Sequence, residues 1–202
     1  MHVSTRTLTL LILVTALSTR TLQSASAQIA VLSPEPASAQ TLTSWYSHHI
    51  PARFRATSRL TIRELPEAEM DIYLHGGSED ASHSEGDDMA DIDGVYESRP
   101  DRMALRLPPK RGIDMFTFAH EYGHYVWFHL LSEDDRRRYE VLYKRRRTTG
   151  HLVTRYAENG VEEGFAEAFS FYVAQPPILA ARDPEAFQFL SRWGLRPRPS
   201  LP

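Results

Sequence analysis

Between Asp114 and Leu130 the chain reads DMFTFAHEYGHYVWFHL, apolar on almost every side at helical spacing yet carrying two histidines and a glutamate in its middle. Asp114 is placed to cap such a helix, and Met115, Phe118, Tyr122, Val126 and His129 recur near the three-and-four spacing of one face. A helix this apolar must be buried, because Phe116, Trp127 and Phe128 leave no polar side for a surface histidine pair. His120, Glu121 and His124 therefore need partners inside the fold, since unpaired polar groups are costly to desolvate. Four residues apart, His120 and His124 stand on nearly the same helical face, so both imidazoles reach one ion. Glu121 sits about 100° further round, able to touch a water on that ion without being a ligand. Metal binding satisfies all three groups at once.

Composition narrows the alternatives. There is no Cys, which excludes thiolate sites and disulfide crosslinks, and 23 Lys and Arg against 26 Asp and Glu leave a net charge of -3, so no basic field argues for nucleic acid. The N-terminal Leu8–Leu17 run, led by Arg6 and followed by Ala25-Ser26-Ala27, is too short to span a bilayer and has the form of a secretory signal. Residues 1–27 are thus expected to be removed on export, giving a secreted or periplasmic protein with no stable membrane span. Residues 28–40, rich in Pro, Ala and Ser, are expected to be a flexible lead-in, and 41–202 a single domain.

Along that domain the pattern predicts a short helix over 42–54 broken at Pro51, then strands at Met70–Leu74, Gly94–Tyr96 and Met103–Leu107, with an acidic loop between His75 and Asp91. Beyond Pro109 it turns helical. After the histidine helix, Ser132-Glu133-Asp134-Asp135 opens a second helix toward Arg147, Asn159 caps a third that Pro176-Pro177 ends, and Asp183-Pro184 starts a fourth that closes near Trp193. Strands followed by helices predict an α+β fold. The arginines of the second helix read as a solvated face balanced by Glu133, Asp134, Asp135 and Glu140.

A catalytic zinc takes three protein ligands and keeps an open position. In Tyr156–Phe169, Glu163 and Glu167 lie four apart on one edge of a predicted helix, so one can bind the ion while the other accepts a hydrogen bond from a ligand imidazole. Glu158 and Glu162 satisfy the spacing as well.

These residues carry a resemblance. HEYGH at His120–His124, Tyr156 seven residues before Glu163, the Phe165–Phe169 run FAEAF, and PEAFQFL from Pro184 to Leu190 resemble the catalytic domain of anthrax toxin lethal factor and its zincin relatives, the Pro-Pro endopeptidases. The likeness covers about the last 90 residues, with Tyr125 standing where a small residue is common and Asn159 one place nearer Tyr156 than in the toxin. It implies a zincin-like fold, a small mixed sheet packed on an active-site helix and followed by a helical C-terminal half. It further implies one Zn2+ held by His120, His124 and Glu163, with Glu121 as general base, Tyr156 as donor to the oxyanion and Glu167 supporting a ligand histidine. The expected activity is a zinc endopeptidase, acting as a monomer on peptide or protein substrates held against a sheet edge at Met103–Leu107 or near Val95. The contrasting reading is a non-catalytic zincin-fold binding protein or a subunit that needs a partner. Toxin delivery and the toxin's host substrates are not expected to carry over, since the likeness is confined to the catalytic domain.

Overall fold

Leu60–Pro66 (β2) alternates its side chains, Leu60 and Ile62 entering the main core and Leu65 a smaller cluster behind the sheet. It is the central strand of a computed structural model that describes residues 29–76, 92–98, 101–107 and 114–193. Ile29–Leu32 (β1) runs parallel to β2, Asp101–Leu107 (β4) runs parallel on its other side, and Gly94–Ser98 (β3) closes the row antiparallel to β4. The strand order is β1-β2-β4-β3, a small mixed sheet. Together with seven α-helices among the described residues it makes an α+β fold with a helical C-terminal half.

Both faces of the sheet are covered. Met103, Leu105 and Tyr96 join the main core, while Val95 and Ala104 pack with Met70 and Leu74 of Glu67–Gly76 (α2) on the opposite side. Here the fold departs from expectation, because Met70–Leu74 is helix rather than strand. Met70 and Leu74, one turn apart, are buried, whereas Ile72 between them is 73% exposed, so the pattern that mimics strand alternation is one helical stripe plus a lone exposed isoleucine.

The expected lead-in also differs. Residues 29–32 form the strand β1, and Pro36–His49 (α1) begins with Pro36 in its first turn, where a missing N–H costs nothing. This helix buries Leu42 and Tyr46 and stops at His49, before Pro51 and a short 3-10 turn at Ala52–Phe54. The strand β2 carries no turn signal at its start and went unmarked in the sequence pattern. The expected signal segment, and residues 77–91 of the acidic loop, lie outside the described residues.

The histidine helix Asp114–Tyr125 (α3) continues into a π turn at Val126–Leu130, with the Leu131 N–H donating to the Val126 carbonyl at 3.0 Å. Ser132 caps Glu133–Thr149 (α4) by accepting from the Asp135 N–H, and Gly150 ends it at φ 69°, a left-handed conformation that suits glycine. Val161–Ala174 (α5) is capped by Gly160 rather than Asn159, which sits in the preceding 3-10 turn Tyr156–Asn159. Pro176 opens a further short helix, Pro176–Arg182 (α6), so the proline pair both ends one helix and starts the next. Asp183 caps Pro184–Arg192 (α7) as expected, accepting from the Ala186 N–H, and its carboxylate meets the buried Arg146 guanidinium at 2.6 Å.

No helix of the described residues is long and apolar enough to cross a membrane.

Candidate metal centre

The centre arises where α3 crosses α5. Both helices are buried at this point, and they approach so closely that a Cβ on Gly123 would lie 2.7 Å from the Ala166 Cα. Glycine at that position lets the backbones meet, which brings the histidines of α3 to the carboxylates of α5. His120 Nε2 lies 3.1 Å from Glu163 Oε2, and His124 Nε2 lies 3.5 Å from Glu163 Oε1. One carboxylate thus faces both imidazoles, and ligand atoms of all three residues fall within 4.8 Å of one another.

The donor set is two imidazole nitrogens and one carboxylate oxygen, a combination that fits zinc and other divalent first-row cations alike. The fit is supported by what lies behind the ligands. His120 turns its far nitrogen, Nδ1, to Glu167 Oε1 at 2.9 Å, and the other oxygen of Glu167 accepts from the Thr154 hydroxyl at 2.6 Å. Thr154 in turn accepts from the Ala157 N–H at 3.2 Å, tying the loop before α5 to the same carboxylate. The orientation of His120 is therefore fixed by a chain of hydrogen bonds, the usual way a ligand imidazole is aimed. His124 is held differently: its Nδ1 is buried without a hydrogen-bond partner among the described residues, so packing and the contact of Nε2 with Glu163 orient that ring.

Electrostatics follow from this crowding. Burial disfavours a charged His120, yet its hydrogen bonds to Glu163 and Glu167 and the nearby Glu121 charge outweigh that and raise it to about 10. Burial likewise pushes the Glu163 carboxyl up, but the hydrogen bonds from His120 and His124 win and hold it well below the usual carboxylate range. Glu121 shifts the other way. Its burial raises it, and the pull of His120 and His124 does not compensate.

Glu121 belongs to the sheet side of the site. The Tyr96 backbone N–H donates to its carboxylate. This is possible because β3 is the outer strand. The Arg106 N–H donates to the Asp93 carbonyl at 2.8 Å, and in the register that pairs Val95 with Ala104 the backbone groups of Gly94 and Tyr96 turn away from β4. Gly94 completes the contact, since a Cβ there would lie 2.7 Å from Thr117 Cγ2 and 2.9 Å from Glu121 Cγ. The strand Met103–Leu107, expected as a candidate edge, is instead paired on both sides, by β2 and β3; the segment near Val95 pairs on one side only among the described residues.

Tyr156, 39% exposed, stands over the site with its ring 5.7 Å from that of His120 at an interplanar angle of 64°. Glu158 and Glu162 are outside the group of residues able to share an ion. Tyr125 is fully buried behind the helix, its hydroxyl accepting from the Thr57 N–H at 3.2 Å. Three contributors escaped the sequence reading. Thr154 lies in a loop, where no periodicity links it to Glu167. The N–H of Tyr96 carries no side-chain signature, and only the glycine at the start of β3 hinted at a close approach.

Among models of protein families, curated proteins and solved structures, none matches this chain.

Proposed function

We propose that the protein is an exported zinc endopeptidase of the zincin type, similar to the catalytic domain of lethal factor, that hydrolyses peptide bonds through a metal-activated water. One observation carries the reading: three buried ligand atoms converge from His120, His124 and Glu163, while Glu121, adjacent in sequence, stays out of that set and is held apart by the sheet. A purely structural metal site has no need for such a fourth group.

His120, His124 and Glu163 would hold the cation, with Glu167 fixing the His120 ring through Nδ1. Bound zinc supplies a water of lowered pKa and polarises the scissile carbonyl. Glu121 accepts the proton that the attacking water loses, a role suited to a carboxyl whose burial raises its proton affinity, and passes it to the leaving amine. The Tyr156 phenol, at the exposed mouth beside His120, donates to the oxygen that becomes negative. The outward backbone groups of β3 offer an extended peptide hydrogen bonds next to Glu121.

The test pairs zinc stoichiometry with cleavage of a peptide library by the wild type and Glu121→Ala. The wild type should bind one zinc and cleave; the variant should keep the zinc and lose about 10²–10⁴ in rate. Cleavage unaffected by the substitution, or a wild type that holds no zinc, overturns the proposal. Bound zinc with no cleavage by either protein would instead favour a non-catalytic binding protein.

A further inference from the structure

The basic helix α4 leaves one arginine over. Arg136 donates to the Trp127 and Phe128 carbonyls, Arg137 pairs with Glu133 and Asp134, and Arg138 with Asp135. Arg145 reaches Glu185, and Arg146 reaches Asp183. The solvated, internally balanced face expected of this helix therefore holds for Arg137, Arg138 and Lys144, whereas Arg136 bonds backbone carbonyls, Arg145 reaches α7 and Arg146 is buried against Asp183. Arg147 is the exception, with no hydrogen bond or ion pair from its side chain among the described residues.

Arg147 does not stand alone. It lines a cleft of about 390 Å³ together with Arg155, from the loop before Tyr156, and Arg182, from the end of α6. Neither of these has a hydrogen-bond or ion-pair partner for its guanidinium among the described residues. Glu158 is the one carboxylate in the lining, so the cleft is lined by three arginines against one acidic residue. Three arginines gathered from separate segments leave an excess of positive charge that attracts an anion. Leu152 and Val153 add an apolar wall, and the volume is at the small end of what small-molecule clefts provide.

We propose that this cleft binds a compact phosphate ester or diphosphate. Its charged oxygens would lie among Arg147, Arg155 and Arg182, and its organic part against Leu152 and Val153. Guanidinium forks match the several acceptor oxygens of a phosphoryl group, and arginines arriving from three directions suit a tetrahedral oxyanion better than a planar carboxylate. The site is separate from the metal ligands but shares a wall with them: Thr154, which lines the cleft, is the residue that donates to Glu167.

The probe is inorganic pyrophosphate, titrated calorimetrically into the full-length protein at constant ionic strength. Binding should be saturable with one site per chain. Arg147→Ala, Arg155→Ala and Arg182→Ala should each weaken it about tenfold, a typical loss for one charge-assisted contact. Glu158→Gln should tighten it severalfold by removing the opposing charge. His120→Ala should leave it unchanged, which separates the cleft from pyrophosphate chelating a metal at the histidines. These arginines are exposed, so the variants test binding rather than folding. Absence of saturable binding overturns the proposal, as does binding that is lost in His120→Ala but kept in the arginine variants. Equal binding of citrate would overturn the assignment to phosphate.

Discussion

Gly123→Ala sets two physical effects of opposite sign against each other. In an exposed helix interior this change stabilises by about 1 kcal/mol, because alanine loses less backbone entropy. At position 123 the new methyl would sit 2.7 Å from the Ala166 Cα and 3.2 Å from its Cβ and carbonyl oxygen. Those are mostly backbone atoms and cannot rotate aside. Restoring ordinary contact at 3.4 Å requires α3 and α5 to part by about 0.7 Å. Overpacking of that kind costs about 1–3 kcal/mol, enough to cancel or reverse the propensity gain. The larger effect falls on the metal. Glu163 lies on α5 one turn before Ala166, so the same retreat draws its carboxylate away from both Nε2 atoms. Metal–ligand distances tolerate only about 0.2 Å of change, so zinc affinity should drop at least about tenfold. Urea denaturation of the metal-free protein and zinc titration against a competing chelator read the two effects separately. Gly160→Ala is the control, since its Cβ would meet nothing within 4 Å. A Gly123→Ala protein that is more stable by about 1 kcal/mol with unchanged zinc affinity would refute the close crossing of the helices.

Three further outcomes follow from the site. Glu167→Gln keeps the shape of the side chain but removes the charge that aims His120, so zinc affinity should fall about 10–100-fold by the same chelator competition; unchanged affinity would discard the orienting role. Gly94→Ala would push on Glu121 Cγ, so peptide hydrolysis should fall about 10²-fold while zinc affinity stays at the wild-type value, and a parallel loss of both would contradict the separation drawn between base and ligands. In the metal-free protein His120 is raised to about 10, so its protonated form stabilises the fold fully below its ordinary value near 6.5, and that contribution is lost as pH rises through about 10. Zinc must displace this proton at neutral pH, so calorimetry in buffers of different ionisation enthalpy should find about one proton released per ion, with affinity rising toward alkaline pH; no release at pH 7 would show that His120 is already neutral.

The residues that bring the centre together were readable in advance because each belongs to a helix. His120 and His124 share a face by the 3.6-residue period, and Glu163 and Glu167 repeat that relation on α5, so one crossing suffices to unite them. What remained hidden depends on pairing between distant segments. The alternation of Met70, Ile72 and Leu74 masks the helix signals around α2, Glu67 and Glu69 in its first turn and His75 in its last, and the sheet behind Met70 and Leu74 decides which residue faces inward. The edge strand was likewise ambiguous, because β4 and β3 differ in neighbours rather than in composition, and β2 enters between β1 and β4 from a stretch with no turn signal. Residues 29–40 looked like linker because Pro, Ala and Ser are poor in apolar surface. Yet Pro36 suits a first helical turn, and Ile29 needs only one neighbouring strand to become buried.

The support of α3 is divided between two structures, one behind His120 and one beside Glu121. On one side, α5 and the Thr154 loop hold His120 through Glu167 and oppose both imidazoles with Glu163. On the other, the outer strand β3 holds Glu121 through a backbone N–H and leaves room for it by having no side chain at Gly94. The proton affinities of these adjacent residues are both raised, but by different causes. His120, among carboxylates, is driven toward its charged form, while Glu121, turned into a drier environment, is driven toward its neutral one. The outer strand beside Glu121 also turns the backbone groups of Gly94 and the Tyr96 carbonyl away from β4, so on the proposed reading a peptide added there would lie against the base.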